Sequence, residues 1–415
     1  MKYLIKKLPP HYLSKLLKSR FKVPELAFSQ DFEVKLANDR EELEEAYGLL
    51  HDCYVGQGLM KPEPSGLRCT LFSLLPETAT IVVKYKNKTV GTASLIKDSR
   101  MGLPSDKDYL PQNDQLRMSG KRLIEVSSLA VAKEFRSKGH AVSLLLMKYI
   151  YHYSLMMGGD DLVITIHPRA EVFYKALMAF KRQGPIVSYD YVDGALAIYM
   201  NVSITSKKVL TELGASFRND DFKRNMALWF VSYMDERFIF PKFAKGQVVT
   251  AVLTPELIEY FYVNKTKQIQ KFNTNEKRVF FEMLVHYFGE AEISRFKEFY
   301  EGFQLREYRV TVDLPASVEI EGNFHIFKIV DLSPSGAYFS PPKGIKTCIN
   351  KGQSINVRFQ IADKSFEFTG EVMWSKHTNI FSNSTGFGVR FNETSLALKD
   401  KLRTLDNFQD TQKAA

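Results

Sequence analysis

Apolar positions along the chain switch several times between the helical period and the strand period. Glu41–Tyr54 carries Leu43, Ala46, Tyr47, Leu50 and Tyr54 at helical spacing. Ile81–Lys86 and Val90–Lys97 read as two strands joined at Asn87-Lys88. Asp98–Lys121 is polar and contains Gly102, Pro104 and Pro111, so it is expected to be a long functional loop. Leu123–Val131 then reads as a buried strand, His140–Met157 as a helix, Asp161–Ile166 as a strand, Glu171–Lys181 as a helix and Ala195–Val202 as a strand. This alternation predicts an α/β domain over residues 31–203.

Beyond it, residues 204–302 are expected to form a mainly helical connecting region, clearest at Thr254–Tyr262, Glu276–Tyr287 and Ile293–Tyr300. Its aromatic residues read as packing between helices. From residue 303 the pattern changes to short strands separated by Gly, Pro and Asn turns. Phe324–Asp331, Ala337–Ser340, Ser354–Ile361, Ser365–Trp374 and Gly386–Phe391 predict a small antiparallel barrel over 303–405, followed by a polar tail over 406–415. The expected class is a multidomain α+β protein.

Composition narrows the picture modestly. The 415 residues are 45% hydrophobic and 25% charged, which excludes a disordered or fibrous chain. Cys53, Cys69 and Cys348 match no zinc or redox spacing, so a reducing compartment and no metal are expected. No apolar run reaches the roughly 20 residues that span a bilayer, and the N-terminus lacks a signal-peptide layout, which together predict a cytoplasmic protein. The net charge of +10 is uneven. Residues 1–30 hold Lys2, Lys6, Lys7, Lys15, Lys18, Arg20 and Lys22 against Glu25 alone. After Pro9-Pro10, Tyr12, Leu13, Leu16, Leu17 and Phe21 recur at helical spacing. A basic amphipathic helix of this kind suits an acidic protein or the inner face of an anionic membrane, and a solvated basic tail is the plainer alternative. No motif for reading a nucleic acid polymer is present.

The stretch from Glu125 to Ala141 carries the clearest chemistry. An apolar strand ends at Val131, and a helix begins just after Gly139. Free amides at a helix N-terminus, with Arg136 and Lys138 beside them, suit phosphate oxygens. Gly139 and Ala141 allow close backbone approach. The arrangement resembles the acyl-CoA motif of the GNAT acyltransferases, with Arg136, Gly139 and Ala141 in the motif positions. Pro168–Phe180 is similar to that family's second motif, with Tyr174 in the place of the general acid and Ala179 in place of a glycine.

Tyr54–Gly58, Val90-Gly91-Thr92, Asp98, Gly102-Leu103-Pro104, Arg117 and Glu125–Val131 narrow the resemblance to the N-acyl amino acid synthases, relatives of the acyl-homoserine lactone synthases. Ser128 stands where the lactone synthases carry an arginine, which favours the amino acid branch. The resemblance implies transfer of a fatty acyl group from acyl carrier protein, or from acyl-CoA, to an amino acid or related amine. Glu125 is the expected base, since an ammonium must lose a proton before it attacks a thioester. Burial on an apolar strand would raise its pKa toward that task. The Leu129–Val131 amides are the expected oxyanion donors. His167, at a strand end, is a lesser candidate base, and His140 is expected in the first helical turn.

In the C-terminal part, Leu305–Arg309, Asp331-Leu-Ser333-Pro-Ser-Gly336 and Gly386–Phe391 resemble the PilZ domain, a bacterial barrel that binds cyclic di-GMP. The resemblance implies phosphate and guanine contacts from Arg306 and Arg309, a guanine-edge contact from Asp331 and Ser333, and a tight turn at Gly336. Leu305 occupies the place of the first arginine. Two readings follow. One is an N-acyltransferase regulated or localised through cyclic di-GMP. The other is a catalytically inactive acyltransferase fold serving as a cyclic di-GMP effector.

Overall fold

The computed structural model describes residues 9–405, apart from 77, 137–139, 233–235, 242–252, 321, 341–348 and 378–383. The described residues form two compact units. The first takes in 9–98, 102–241 and 253–272; the second takes in 99–101 and 273–405. The helical stretch after residue 203 therefore divides, one part packing with each unit.

The first unit is built on a nine-stranded sheet. Its strands are β1 (Phe32–Leu36), β2 (Thr78–Tyr85), β3 (Lys88–Lys97), β4 (Leu123–Val131), β5 (Asp161–Ile166), β6 (Lys181–Arg182), β7 (Val187–Tyr189), β8 (Ala195–Ser203) and β9 (Phe238–Ile239). Their order is β6-β8-β5-β4-β3-β2-β1-β9, with β7 added on β8. The β4–β5 and β1–β9 pairs are parallel and the others antiparallel.

The longer helices described in this unit are α1 (Pro10–Arg20), α2 (Arg40–Val55), α3 (Asp106–Met118), α4 (Ala141–Met156), α5 (Glu171–Met178) and α6 (Lys207–Phe217). α2 starts where the Asp39 side chain accepts from the Glu42 amide, a standard N-cap. α4 is apolar on most sides, because it packs against β1–β4 on one side and under further helices on the other. Alternation along β2 sends Ala79, Ile81 and Val83 into the core shared with α4. Thr80 and Val82, also buried, point to the opposite face.

Two sequence expectations need correction. Asp98–Lys121 is not a loop: it contains α3, kinked at Tyr109 and carrying Pro111. Its low hydrophobicity and internal proline hide the helical period, since it buries chiefly Tyr109 and Asn113. The helix expected over Glu171–Lys181 ends at Met178, where Ala179 turns left-handed with φ 58° and the chain enters β6.

In the second unit, α7 (Thr274–Phe288) opens with a capping box between Asn273 and Glu276. Six strands then close into a barrel in the order β10 (Val310–Ile320), β11 (Asn323–Ser333), β12 (Gly336–Ser340), β15 (Ser384–Phe391), β14 (Lys364–His377) and β13 (Ser354–Ile361). Closure leaves no sheet edge unpaired. Val318, Ile329, Phe339, Val357 and Phe387 are completely buried in this unit. A last helix, α8 (Leu396–Leu405), contacts β11 and buries Leu398 and Leu402.

Candidate functional site

A cavity of about 430 Å³ opens in the first unit where β4 and β5 separate. The two strands pair only over Leu123–Glu125 and Asp161–Val163. Beyond Glu125, β4 keeps its other partner but slips by one residue between Ser127 and Ala130. Ser128 takes the left-handed conformation there, with φ 55°. This bulge turns β4 away from β5, and residues from both strands line the gap. Met147, Ile150, Leu162, Ile164, Met178 and Phe180 give it a long apolar wall.

Glu125 lies on the last paired rung of β4 and faces this cavity. It is 2% exposed. Burial pushes its carboxyl up from the ordinary value to about 7, against the lowering effect of its hydrogen bonds from Ser105. The Ser105 amide and hydroxyl donate to Oε2 at 3.0 and 2.7 Å. Among the described residues nothing donates to Oε1. Ser105 precedes α3 but its hydroxyl does not cap that helix. Asn113 Nδ2, about two turns into α3, holds the Ser105 hydroxyl at 2.9 Å and Asp106 Oδ1 at 2.7 Å. Asn113 Oδ1 in turn accepts from the Tyr199 hydroxyl.

Arg117 ties the other end of α3 to the same frame. Its guanidinium grips Asp98 at 2.7 and 2.8 Å, Asp106 at 2.7 Å and Asp114 at 2.9 Å. The polar segment therefore serves as a clamp on one carboxylate. Gly102 is required by that clamp: its φ is +75°, and a Cβ there would lie 2.5 Å from Asp106 Oδ2.

Tyr174 of α5 and His167 also line the cavity. Burial raises the Tyr174 hydroxyl pKa, so it is protonated and able to donate. Its ring sits edge-on to Phe173 and Phe180. His167 Nδ1 accepts from the Arg169 amide at 3.1 Å, which is a capping role. Leu129 reaches the cavity wall. Val131 lies farther along: the Ala132 amide donates to Val90, so ladder alternation turns the Val131 amide and carbonyl away from β3. The Val131 carbonyl accepts from Arg136 Nε at 2.8 Å, and Arg136 Nη2 donates to Cys53 Sγ. Ala141 is buried as the first residue of α4, after His140 in a left-handed turn. Lys138 and Gly139 lie outside the described residues.

In the barrel, Arg309 Nη1 donates to Asp331 Oδ1 at 2.7 Å. Gly336 sits beside them: a Cβ there would meet the Val389 carbonyl at 2.3 Å and Arg309 Nη2 at 3.3 Å. Ser333 is buried and its hydroxyl donates to the Gly336 carbonyl, closing the turn. The Arg306 side chain is exposed. Its amide donates to Glu282 Oε1 at 3.0 Å. Glu282, fully buried in α7, also accepts from Arg278 and from Arg100 of the 99–101 segment. Among the described residues no cluster of His, Cys, Asp and Glu able to hold a metal ion is present, and no helix is long and apolar enough to cross a membrane.

Residues 45–203 match the family model of the N-acyl amino acid synthase FeeM, and residues 304–405 match that of the PilZ domain. The chain joins a FeeM-like acyltransferase domain to a PilZ domain. Among solved structures, FeeM from uncultured soil microbes is 27% identical over 45% of this chain and 96% of its own, with a TM-score of 0.39. The acyl-homoserine lactone synthase LasI is 15% identical over 42% of this chain and 91% of its own, with a TM-score of 0.34. The PilZ domain of YcgR from Escherichia coli, solved with c-di-GMP, is 12% identical over 25% and 88%, with a TM-score of 0.21. No curated protein matches the chain.

Of the residues singled out in the acyltransferase domain, Glu125, Tyr174, Leu129 and His167 share one cavity. Arg136 is exposed and bound back to the end of β4. In the PilZ domain, Arg309, Asp331 and Gly336 come together, while the described contacts of Arg306 run through its backbone. Sequence reasoning missed Ser105 and Asn113. Their one signal is a Ser-Asp pair ahead of a helix, which reads as an ordinary cap.

Proposed function

We propose that the chain is an N-acyltransferase that moves a fatty acyl group from the thioester of acyl carrier protein or CoA to an amino acid or related amine. The observation that carries this reading is Glu125, buried with a pKa near 7 and one free oxygen, in a cavity with an apolar wall. Glu125 Oε1 takes a proton from the acceptor's ammonium. The freed amine attacks the thioester carbon, forming the C–N bond and placing negative charge on the carbonyl oxygen. An amide of the Leu129–Val131 segment receives that oxyanion. Collapse breaks the C–S bond; Tyr174 delivers a proton to the departing sulfur and regains one from the nitrogen, which keeps a single hydrogen in the amide product. The apolar wall holds the acyl chain, and the turn with Arg136, Lys138, Gly139 and Ala141 holds the donor's phosphate. The PilZ domain binds cyclic di-GMP through Arg306, Arg309, Asp331, Ser333 and Gly336, and that binding regulates or localises the transferase.

The test is mass spectrometry of the full-length protein incubated with long-chain acyl carrier protein, acyl-CoA and the common amino acids. Reactions run with and without cyclic di-GMP, beside Glu125→Gln. An acyl-amino acid formed by the native chain and absent with the variant supports the reading. No product under any condition refutes it and favours an inactive cyclic di-GMP effector.

A further inference from the structure

Among the described residues lining the Glu125 cavity, Arg68 is the only arginine or lysine, and none of its described contacts is an acid. It lies in the segment between α2 and β2, fixed by a bond from its amide to the Tyr47 carbonyl at 3.0 Å. Its guanidinium stacks over the Tyr54 ring at 4.2 Å. Nη2 donates to the Tyr191 carbonyl at 2.8 Å. Nε is buried without a partner, and Nη1 has no described acceptor. Other partly buried cations of this unit, such as Arg117 and Arg122, face carboxylates. Arg68 has only a carbonyl and a ring face. A partly buried guanidinium without a counter-charge is an unsatisfied anion site, and its planar fork fits a carboxylate best. Stacking on Tyr54 covers one face and leaves the nitrogen-bearing edge for such a partner.

We propose that Arg68 binds the carboxylate of the acceptor, so that the acceptor must be a carboxylate-bearing amine and not a decarboxylated or amidated one. The inference rests on the N-acyltransferase reading and specifies its acceptor. Arg68 and Glu125 then divide one zwitterion between them. The guanidinium takes the carboxylate, and the carboxylate of Glu125 takes the ammonium proton. Arg68 is a positioning residue: it fixes which end of the acceptor meets the base.

The experiment compares each common amino acid with its carboxamide as acceptor, using the full-length chain and long-chain acyl carrier protein or acyl-CoA as donor. The readout is the ratio of kcat/KM for acid over amide. The native chain is expected to prefer acids by at least about 10-fold, the scale of a charge-assisted hydrogen bond. Arg68→Gln is expected to lower that ratio by at least about 10-fold, chiefly through KM for the acid, and Arg68→Lys by less. Calorimetric titration with N-dodecanoyl amino acids and the corresponding amides gives the same comparison without turnover. A native chain that acylates amides as well as acids overturns the role of Arg68 and leaves the transferase reading standing. So does an Arg68→Gln variant that loses both substrates alike, which marks a structural role. A native chain that acylates no amine overturns the transferase reading and this inference with it.

Discussion

Replacing Glu125 by glutamine separates the cost of burying a charge from its use. The carboxyl is raised from its ordinary 4.5 to about 7. The folded state therefore holds a proton that the unfolded chain has already released between those values. The contribution of Glu125 to stability is therefore fully present below about 4.5 and is lost as pH rises through about 7, the reverse of a salt-bridged carboxylate. At about 1.4 kcal/mol per pKa unit, the ionised form costs the fold about 3 kcal/mol above pH 8. Glutamine carries no charge, and its carbonyl can still accept both donors of Ser105. Glu125→Gln should thus be more stable than the native chain by about 3 kcal/mol near pH 8.5, and by under about 1 kcal/mol near pH 5. Urea unfolding at the two pH values measures this. Acyl transfer should meanwhile drop by at least about 100-fold, because the base is gone. An equal stability change at both pH values, or a loss at pH 8.5, would refute the reasoning. Glu125 would then be an ordinary ionised carboxylate compensated by its hydrogen bonds.

Three further outcomes test the surroundings. The native pH–rate profile should rise through about 7, and Ser105→Ala should move that rise upward by about one unit, since the lost hydroxyl bond favours the ionised form. Gly102→Ala should cost about 1–3 kcal/mol in urea unfolding, because it combines a positive φ with a Cβ pressed on a carboxylate already held by Arg117. In the PilZ domain, Arg309→Ala should weaken cyclic di-GMP binding by at least about 10-fold in calorimetric titration, and an unchanged affinity would remove Arg309 from the site.

The parts of the fold legible in the sequence are those whose residues see a single environment. β5 and β8 are buried on both faces over most of their length and read as apolar runs, and α4 is largely apolar. The barrel strands alternate, as in Ser354–Ile361, because one face meets the core and the other meets water. β9 is two residues long and leaves no period to detect. α3 escaped because it is held by ion pairs and not by an apolar stripe. The candidate site divides the same way. Glu125 stands out as an acid on an apolar strand. Its partner Ser105 is 20 residues away, and the bond between them exists only once β3, α3 and β4 have packed. Arg68 carries no local signal either, since a lone arginine in a loop is usually solvated.

The divergence of β4 from β5 has a consequence for how this protein can change. The gap is made by backbone register: a left-handed Ser128 and the end of one ladder after Glu125. Side chains along its rim set its bore but not its existence. On the function proposed above, exchanges among Met147, Ile150, Ile164 and Met178 retune which acyl chain length fits without disturbing the Glu125 rung. Selectivity and chemistry would then rest on separate structural variables, side-chain volume for the first and backbone register for the second.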